Sequence, residues 1–309
     1  MTRRAWRVRW HTALLAVAWC ATASAQAEGF NFCDRQAQIT AAQQDKLFRF
    51  AGIIKAELMR VDSAAALIAR SGLNLQRFGI RYSHAGVALR DSDNGPWSVR
   101  QLYYACDERK PRIYDQGISG FLLGTDNPSL GYVSVVLLPR EQADVLARAA
   151  LDKRQALQVL SARYSANAYA FSERYQNCNQ WLAELLAQAW GRLDLQDGLA
   201  HDARGNALSW LSEQGYEPSV IDVGSRWLMW AGLFIPFVHN DDHPPSDLAQ
   251  RRYRISMPAS IEAFVHRTVP QAARLAFCHT EDQVVVHHGW DEPADGCVPQ
   301  LGDTVIRLD

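Results

Sequence analysis

Residues 1–25 have the three parts of a secretory signal peptide, and this feature constrains the fold most because it sets the redox environment of the cysteines. Four arginines precede an apolar run at 13–19, and small residues at 23–25 form a cleavage site. The apolar run is shorter than the ~20 residues of a membrane-spanning helix. We therefore expect cleavage near Ala25, no transmembrane anchor, and a periplasmic or secreted mature chain.

The cysteine count predicts one thiol beside two disulfides. The chain has six cysteines, and one of them lies in the signal peptide, so an odd number enters an oxidising compartment. Cys278 and Cys297 enclose a short loop and are expected to pair. Four cysteines allow three pairings, and in this one the second disulfide joins Cys33 to Cys106. Cys178 would then remain a thiol.

The hydropathy pattern predicts a mixture of helices and strands. Helices are indicated by apolar residues at a spacing of three and four, and strands by β-branched runs between turn signals. A turn-rich segment at 91–96 predicts that the strands on either side form a hairpin. The predicted elements are helices at 40–58, from Ser63 to Gly72 and at 140–157, and strands at 80–89, 97–104 and 131–138.

A further helix is predicted to begin at Cys178. Asn177 is a good N-cap residue, and apolar residues follow the cysteine at i+3, i+4, i+7, i+8 and i+11. Glu184 and Gln188 fall on the opposite face of this helix. The positive end of a helix stabilises a thiolate, so the pattern points to a nucleophile.

The imidazole that such a nucleophile needs is predicted at His84. Small residues flank it in a strand-like segment, which lets a substrate or another backbone approach closely. A third polar group usually orients the imidazole. If the hairpin pairs symmetrically about its turn, Gln101 lies beside His84, with Tyr103 one alternation away.

A histidine on an early strand (YSHAGVAL), a polar residue on the next strand and a cysteine opening a helix (QNCNQWLAELL) resemble the circularly permuted papain-like fold. That group includes permuted relatives of the NlpC cell-wall peptidases and lecithin:retinol acyltransferase-like enzymes. The whole chain also resembles a proteobacterial family of exported proteins of unknown function. The resemblance implies a cysteine hydrolase or acyltransferase with Cys178 as nucleophile, His84 as base and Gln101 as third residue.

These inferences give an α+β fold whose core is an antiparallel sheet packed on the nucleophile helix. After the signal peptide at 1–25, we expect an N-terminal helical arm at 26–74. The permuted papain-like core follows at 75–195, and a C-terminal extension at 196–309 packs on it.

Other residues near the predicted site are candidates for binding. The backbone N–H of the nucleophile is a natural oxyanion donor, and Gln176 or Asn179 is a candidate for the second donor. Asn177 and Asn179 flank the nucleophile and are candidate substrate contacts. Tyr82 lies on the same strand face as His84, where packing is favoured over a place in the cleft.

Three rival features are interpreted as structural. The HNDDH segment at 239–243 has metal-like spacing, but two prolines follow it, which favours a solvated loop. Cys278 and Cys297 have histidines nearby, yet a disulfide is favoured over a zinc site, and no cofactor or metal is expected. The apolar run at 227–238 is too short to span a bilayer and is predicted to be a core helix.

The expected function is that of an exported enzyme acting on an envelope peptide or amide, with peptidoglycan stem peptides as one candidate. A net charge of −1 and the lack of basic runs argue against nucleic acid as a partner. Two alternatives stay open. One is a non-catalytic envelope binding or scaffold protein on the same fold. The other is a lipid acyl hydrolase with the 227–238 segment at its cleft.

Overall fold

The computed structural model describes residues 39–193 and 202–308. The predicted signal peptide and Cys33 lie outside these residues. The helices are α1 (Ala41–Met59), α2 (Ile118–Leu122), α3 (Arg140–Leu151), α4 (Lys153–Gln158), α5 (Cys178–Trp190), α6 (Ala203–Glu213), α7 (Arg226–Gly232), α8 (Pro245–Ala249) and α9 (Pro258–Thr268). The strands are β1 (Ala65–Arg70), β2 (His84–Leu89), β3 (Ser98–Ala105), β4 (Lys110–Gln116), β5 (Gly131–Leu137), β6 (Ser219–Asp222), β7 (Arg252–Ile255), β8 (Ala273–His279), β9 (Gln283–His288) and β10 (Thr304–Arg307).

An eight-stranded antiparallel sheet forms the centre of the fold, in the order β10-β9-β8-β5-β1-β2-β3-β4. A second, two-stranded sheet pairs β6 with β7. The fold is therefore mixed α+β with a large antiparallel sheet, as the sequence predicts at that level. The helix at 40–58, the hairpin and the 131–138 strand are confirmed, while the helix predicted at 140–157 is broken at Asp152 into α3 and α4.

The short helix predicted from Ser63 to Gly72 is wrong, because this segment forms β1. Its side chains are buried on both faces of the sheet. Leu67 belongs to the apolar cluster that contains α5, whereas Ile68 belongs to the cluster that contains α1. A strand covered on both faces has no polar alternation, so periodicity alone does not distinguish it from a buried helix.

Helix α5 begins where the sequence predicts. The side-chain oxygen of Asn177 accepts a hydrogen bond from the backbone N–H of Gln180 at 2.7 Å, which caps the helix. The face assigned to Glu184 and Gln188 is nevertheless buried. Glu184 accepts hydrogen bonds at 2.8 Å from the guanidinium of Arg204 on α6. The helix is thus enclosed on all sides, and an ion pair compensates its buried carboxylate.

Both ends of the described chain contribute strands to the central sheet. β1 lies between β5 and β2, and β8, β9 and β10 extend the sheet on the other side of β5. The central sheet therefore contains strands from all three expected regions, 26–74, 75–195 and 196–309. The predicted Cys278–Cys297 disulfide is present and joins β8 to the turn 19 residues later.

The core helix predicted over 227–238 is wrong. In α7 and the turn after it, Met229 is buried, but five large apolar side chains point to solvent. The exposed fractions are 76% for Trp227, 44% for Leu228, 54% for Trp230, 51% for Leu233 and 71% for Phe234. Across the described ranges, no helix is long and apolar enough to cross a membrane.

The HNDDH segment is anchored by its last two residues, Asp242 and His243, whose side chains are enclosed, and is not the fully solvated loop that its composition predicts, although Asp241 is exposed. The His243 ring contacts the backbone oxygen of Asn167 at 2.6 Å. Asp242 accepts a hydrogen bond from the backbone N–H of Tyr169 at 2.9 Å, and its side chain is fully enclosed. The segment therefore fixes the long connection that leads to α5.

Candidate functional site

The start of α5 packs beside the start of β2. The side-chain amide of Asn179 donates to the backbone oxygen of Ser83 at 3.1 Å. This bond joins the residue after Cys178 to the residue before His84. Cys178 is half-buried at the edge of the main apolar cluster and is present as the thiol. The chain thus brings the two segments that carry the predicted nucleophile and base together.

Gln101 holds the His84 ring in one orientation. Its side-chain oxygen lies 2.7 Å from Nε2 of His84, and its amide nitrogen donates to Oε1 of Gln116 at 2.8 Å. Because the Gln101 oxygen only accepts, Nε2 of a neutral His84 carries the proton. Nδ1 is then the basic nitrogen. Both side chains are buried, so this polar chain is shielded from water.

Arg70 sets the electrostatic environment of His84. The two residues face each other in the β1–β2 ladder. Burial lowers the pKa of His84 to about 3, and the positive charge of Arg70 contributes to this shift while the Gln101 hydrogen bond opposes it. His84 is therefore neutral at neutral pH and able to accept a proton.

The Arg70 guanidinium lies in a recess that the sequence did not reveal. It donates to the hydroxyl of Tyr103 at 2.8 Å and to the backbone oxygen of Gly124. A side chain at Gly72 or Gly124 would overlap the guanidinium. The Tyr103 ring lies 4.9 Å from the His84 ring. Tyr103, the alternative third residue, therefore positions Arg70 and packs on the imidazole.

Gln176 is not available as an oxyanion donor. Its amide nitrogen donates to the backbone oxygen of Val159 at 2.8 Å and to the Glu184 carboxylate at 2.7 Å. Its side-chain oxygen accepts from the backbone N–H of Ser161 at 2.9 Å. Both amide hydrogens are thus used inside the fold, and the residue holds the segment before Cys178.

Asn177 and Asn179 also make structural contacts. Besides capping α5, Asn177 donates to the backbone oxygen of Ser256 at 3.3 Å. Asn179 donates to Ser83, and its side-chain oxygen is buried with no hydrogen-bond partner among the described residues. The backbone N–H groups in the first turn of a helix have no acceptor within the helix. Since the N–H of Gln180 already donates to the Asn177 side chain, the N–H groups of Cys178 and Asn179 are the donors that the start of α5 could offer to an oxyanion.

Tyr82 is buried behind the site. Its hydroxyl contacts Glu292 at 3.2 Å and Arg274 at 3.3 Å. Arg274 also pairs with the buried Glu262 at 2.8 Å. Burial raises the pKa of Tyr82, followed in effect by the charge of Glu292. This network connects the C-terminal segment to the strand that carries His84.

The remaining cysteines and histidines form no metal centre in the part of the chain that the structure describes. The disulfide occupies both Cys278 and Cys297, and His287 bonds to Asp303 at 2.6 Å. Cys106 is disulfide-bonded. Its predicted partner Cys33 lies outside the described residues.

The charged residues around the site were missed from the sequence. Arg70, Arg204 and Arg274 are buried, and each bonds to groups at least 20 residues away in the chain. In the sequence, these arginines are marked only by their position in otherwise apolar or helical segments. That position does not indicate which residues they bond to.

Comparison with known proteins identifies one family. A family model described as "Uncharacterized protein conserved in bacteria (DUF2145)" matches residues 57–265, which is more than half of the 309-residue chain. No curated protein and no solved structure matches. The matched range contains Cys178, His84 and Gln101. The chain therefore belongs to the DUF2145 family of bacterial proteins.

Proposed function

We propose that this protein is an exported cysteine hydrolase or acyltransferase built on a permuted papain-like core. The observation that carries the proposal is the hydrogen-bond chain from His84 through Gln101 to Gln116. It holds a neutral imidazole with Nδ1 as the basic atom, close to the start of a helix whose first residue is Cys178. A base, an orienting group and a thiol at a helix start are the parts of an activated nucleophile.

In the proposed reaction, Nδ1 of His84 takes the proton of the Cys178 thiol as the sulfur attacks a carbonyl carbon. The carbonyl π electrons move to the oxygen, where N–H groups at the start of α5 stabilise the charge. The bond to the leaving group then breaks, and Nδ1 returns the proton to that group. Water or an amine then attacks the thioester carbonyl and gives its proton to Nδ1. The C–S bond breaks, the acyl product leaves, and Nδ1 returns the proton to the sulfur, which restores the thiol.

The low basicity of His84 favours a neutral pair at rest. Because the pKa of His84 is lowered to about 3, a preformed thiolate–imidazolium pair is disfavoured at neutral pH. The proton transfer would then accompany the attack on the carbonyl. An aryl ester, whose carbonyl is activated, would therefore acylate the thiol faster than an amide and is the more sensitive probe of the proposed reaction.

The proposed substrates are peptide or amide bonds of the bacterial envelope, including those of peptidoglycan. This choice follows from the predicted signal peptide and from the amides that are abundant in the compartment to which it would direct the chain. A lipid acyl hydrolase is the second candidate, because five large apolar side chains are exposed in and after α7.

The test is to trap an acyl-enzyme on Cys178. The mature protein is mixed with an aryl ester and an aryl amide of a short acyl group, quenched in acid and analysed by intact mass and peptide mapping. We expect a mass increase of one acyl group on Cys178 in the wild type. We expect none in Cys178→Ala and a strongly reduced amount in His84→Ala.

His288→Ala is the matched control, since His288 is exposed on the opposite side of the sheet order from β2. It should acylate as fast as the wild type. A wild type that never acylates, with either probe, would support the non-catalytic envelope binding protein instead.

A further inference from the structure

Five large apolar side chains are exposed within residues 227–234, and this segment is here called the aromatic lip: Trp227, Leu228, Trp230, Leu233 and Phe234. The Trp227 and Trp230 rings meet edge to face at 5.7 Å, and the Trp230 and Phe234 rings do so at 4.8 Å. Apolar side chains exposed together in this way are typical of an interaction site.

The lip is anchored and is not a loose end. Met229, on the inner face of α7, belongs to a buried cluster with Tyr253, Ile255 and Met257. At the end of the segment, the Phe237 ring lies 5.8 Å from the Tyr104 ring on β3. The exposed rings are therefore held on a fixed support.

Arginines predominate among the charges around the lip. Residues 223–239 contain no Asp or Glu, and Arg226 begins α7 with an exposed side chain. Asp222, just before this range, accepts a hydrogen bond from the backbone N–H of Gly224 at 2.8 Å, and its carboxylate lies 3.8 Å from the Arg252 guanidinium. The backbone N–H of Val223 bonds to the oxygen of Arg251 at 2.9 Å, which brings a second exposed arginine to the base of the lip. Neither Arg226 nor Arg251 has an acidic partner within 39–193 or 202–308.

We propose that the aromatic lip binds the surface of a lipid bilayer that contains anionic lipid. Trp and Phe side chains partition into the headgroup region, and arginines beside them attract lipid phosphates. Contact with a second copy through the same surface would bring Arg226 and Arg251 of the two copies together, while Asp222 at the base of the lip already lies beside Arg252. The charge pattern therefore favours an anionic surface over self-association.

The proposed orientation brings the candidate site close to the membrane. Phe237 and Tyr104 both contact Tyr164, at 6.5 and 5.0 Å between ring centroids. Tyr164 pairs with Gln176, which lies two residues before Cys178. The lip thus adjoins the connection that leads to the start of α5. The membrane proposal itself does not depend on catalysis, so Cys178→Ala should bind vesicles like the wild type.

The experiment uses the mature protein with vesicles of phosphatidylcholine alone and of phosphatidylcholine mixed with phosphatidylglycerol. Binding is measured by co-sedimentation and by the blue shift of tryptophan fluorescence. We expect binding to the anionic vesicles, weakened by salt. Trp230→Ser/Phe234→Ser should lower the partition coefficient by about tenfold or more, because two aromatic rings are lost from the interface.

Two further variants separate the apolar and charged contributions. Arg226→Gln/Arg251→Gln should lower binding to anionic vesicles by about fivefold per arginine and leave phosphatidylcholine binding unchanged. Leu73→Ser/Leu301→Ser is the matched control, since both leucines are exposed elsewhere on the surface, and it should bind like the wild type. If the double aromatic variant melts early, Trp227→Ser alone serves, because Trp227 is the most exposed residue of the lip.

Failure of the wild type to bind either vesicle would overturn the proposal, as would equal binding by the wild type and the aromatic variants. Analytical ultracentrifugation gives the third contrary outcome. A wild-type dimer that Trp227→Ser converts to a monomer, without vesicle binding, would assign the lip to self-association.

Discussion

His84 is a buried imidazole between a neutral amide and a cation. Gln101 fixes which nitrogen carries the proton, and Arg70 disfavours a second proton on the ring. The linkage to stability follows from the lowered pKa. Below about pH 6.5, His84 is protonated in the unfolded state but stays neutral in the folded state. Through His84, the free energy of unfolding therefore decreases as the pH falls from about 6.5 to about 3.

Arg70→Met should raise the pKa of His84 but leave it below 6.5, because burial remains the larger cause of the shift. The nearby groups that also matter are the Tyr103 hydroxyl, which bonds to Arg70, and Asp126, whose carboxylate interacts with the Arg70 charge. The measurement is an NMR titration of the His84 ring. Arg60→Met, which removes an exposed arginine, should leave the titration unchanged. An unaltered pKa in Arg70→Met would show that burial alone sets it.

At the scale of elements, the sequence predicted the parts that have a local signature. The Asn177 cap and the apolar spacing located α5, and the turn at 91–96 located the hairpin. The register of the hairpin pairs Val87 with Arg100 and is shifted by two residues from the symmetric pairing that placed Gln101 opposite His84, although the Gln101 side chain still reaches the His84 ring. The sequence did not predict β1, whose two buried faces hide the alternation of a strand. Nor did it predict that Trp230 is exposed, because apolar residues occur both in cores and on binding surfaces and the sequence does not distinguish the two.

The ion pair between α5 and α6 is predicted to be important for stability. Arg204 compensates Glu184 and also donates to the backbone oxygen of Tyr175, close to the start of α5. Arg204→Met leaves a buried carboxylate unpaired and should lower the free energy of unfolding by about 3–5 kcal/mol. Burial already raises the pKa of Glu184, so the loss should be smaller at low pH, where the carboxyl is protonated.

Denaturant unfolding of the variants measures this effect. Arg49→Met, which breaks the exposed pair with Asp45, is the matched control and should change the free energy by no more than ~1 kcal/mol. Arg204→Met/Glu184→Leu should recover most of the loss, because no unpaired charge then remains in the interior. Equal losses in Arg204→Met and Arg49→Met would contradict the buried ion pair.

At the scale of the whole molecule, the two ends of the described chain are part of one sheet. β1 and β8 both pair with β5, and Arg274 on β8 reaches Tyr82, two residues before His84. Contacts between residues so far apart leave no local signal in the sequence. The expected boundaries at residues 75 and 195 were therefore drawn without them. The Cys278–Cys297 disulfide was predictable because these two cysteines are only 19 residues apart and pair most simply with each other.

The central claim is that His84 activates Cys178, and the rate of thiol alkylation tests it most directly. The native, unreduced mature protein is treated with iodoacetamide at pH 6 and mapped by peptide mass at several times. At this pH His84 is still a neutral base, because its pKa is lowered to about 3. An ordinary thiol with a pKa of about 8.5 is almost wholly protonated there.

We predict that Cys178 alone takes the label, with Cys278 and Cys297 protected by their disulfide. Because a preformed thiolate is disfavoured, the proposed role of His84 is to accept the thiol proton at Nδ1 while the sulfur attacks iodoacetamide. Labelling should therefore slow by about tenfold or more in His84→Ala and stay unchanged in His288→Ala. Equal labelling rates in the wild type and in His84→Ala, or recovery of Cys178 in a disulfide, would contradict the account.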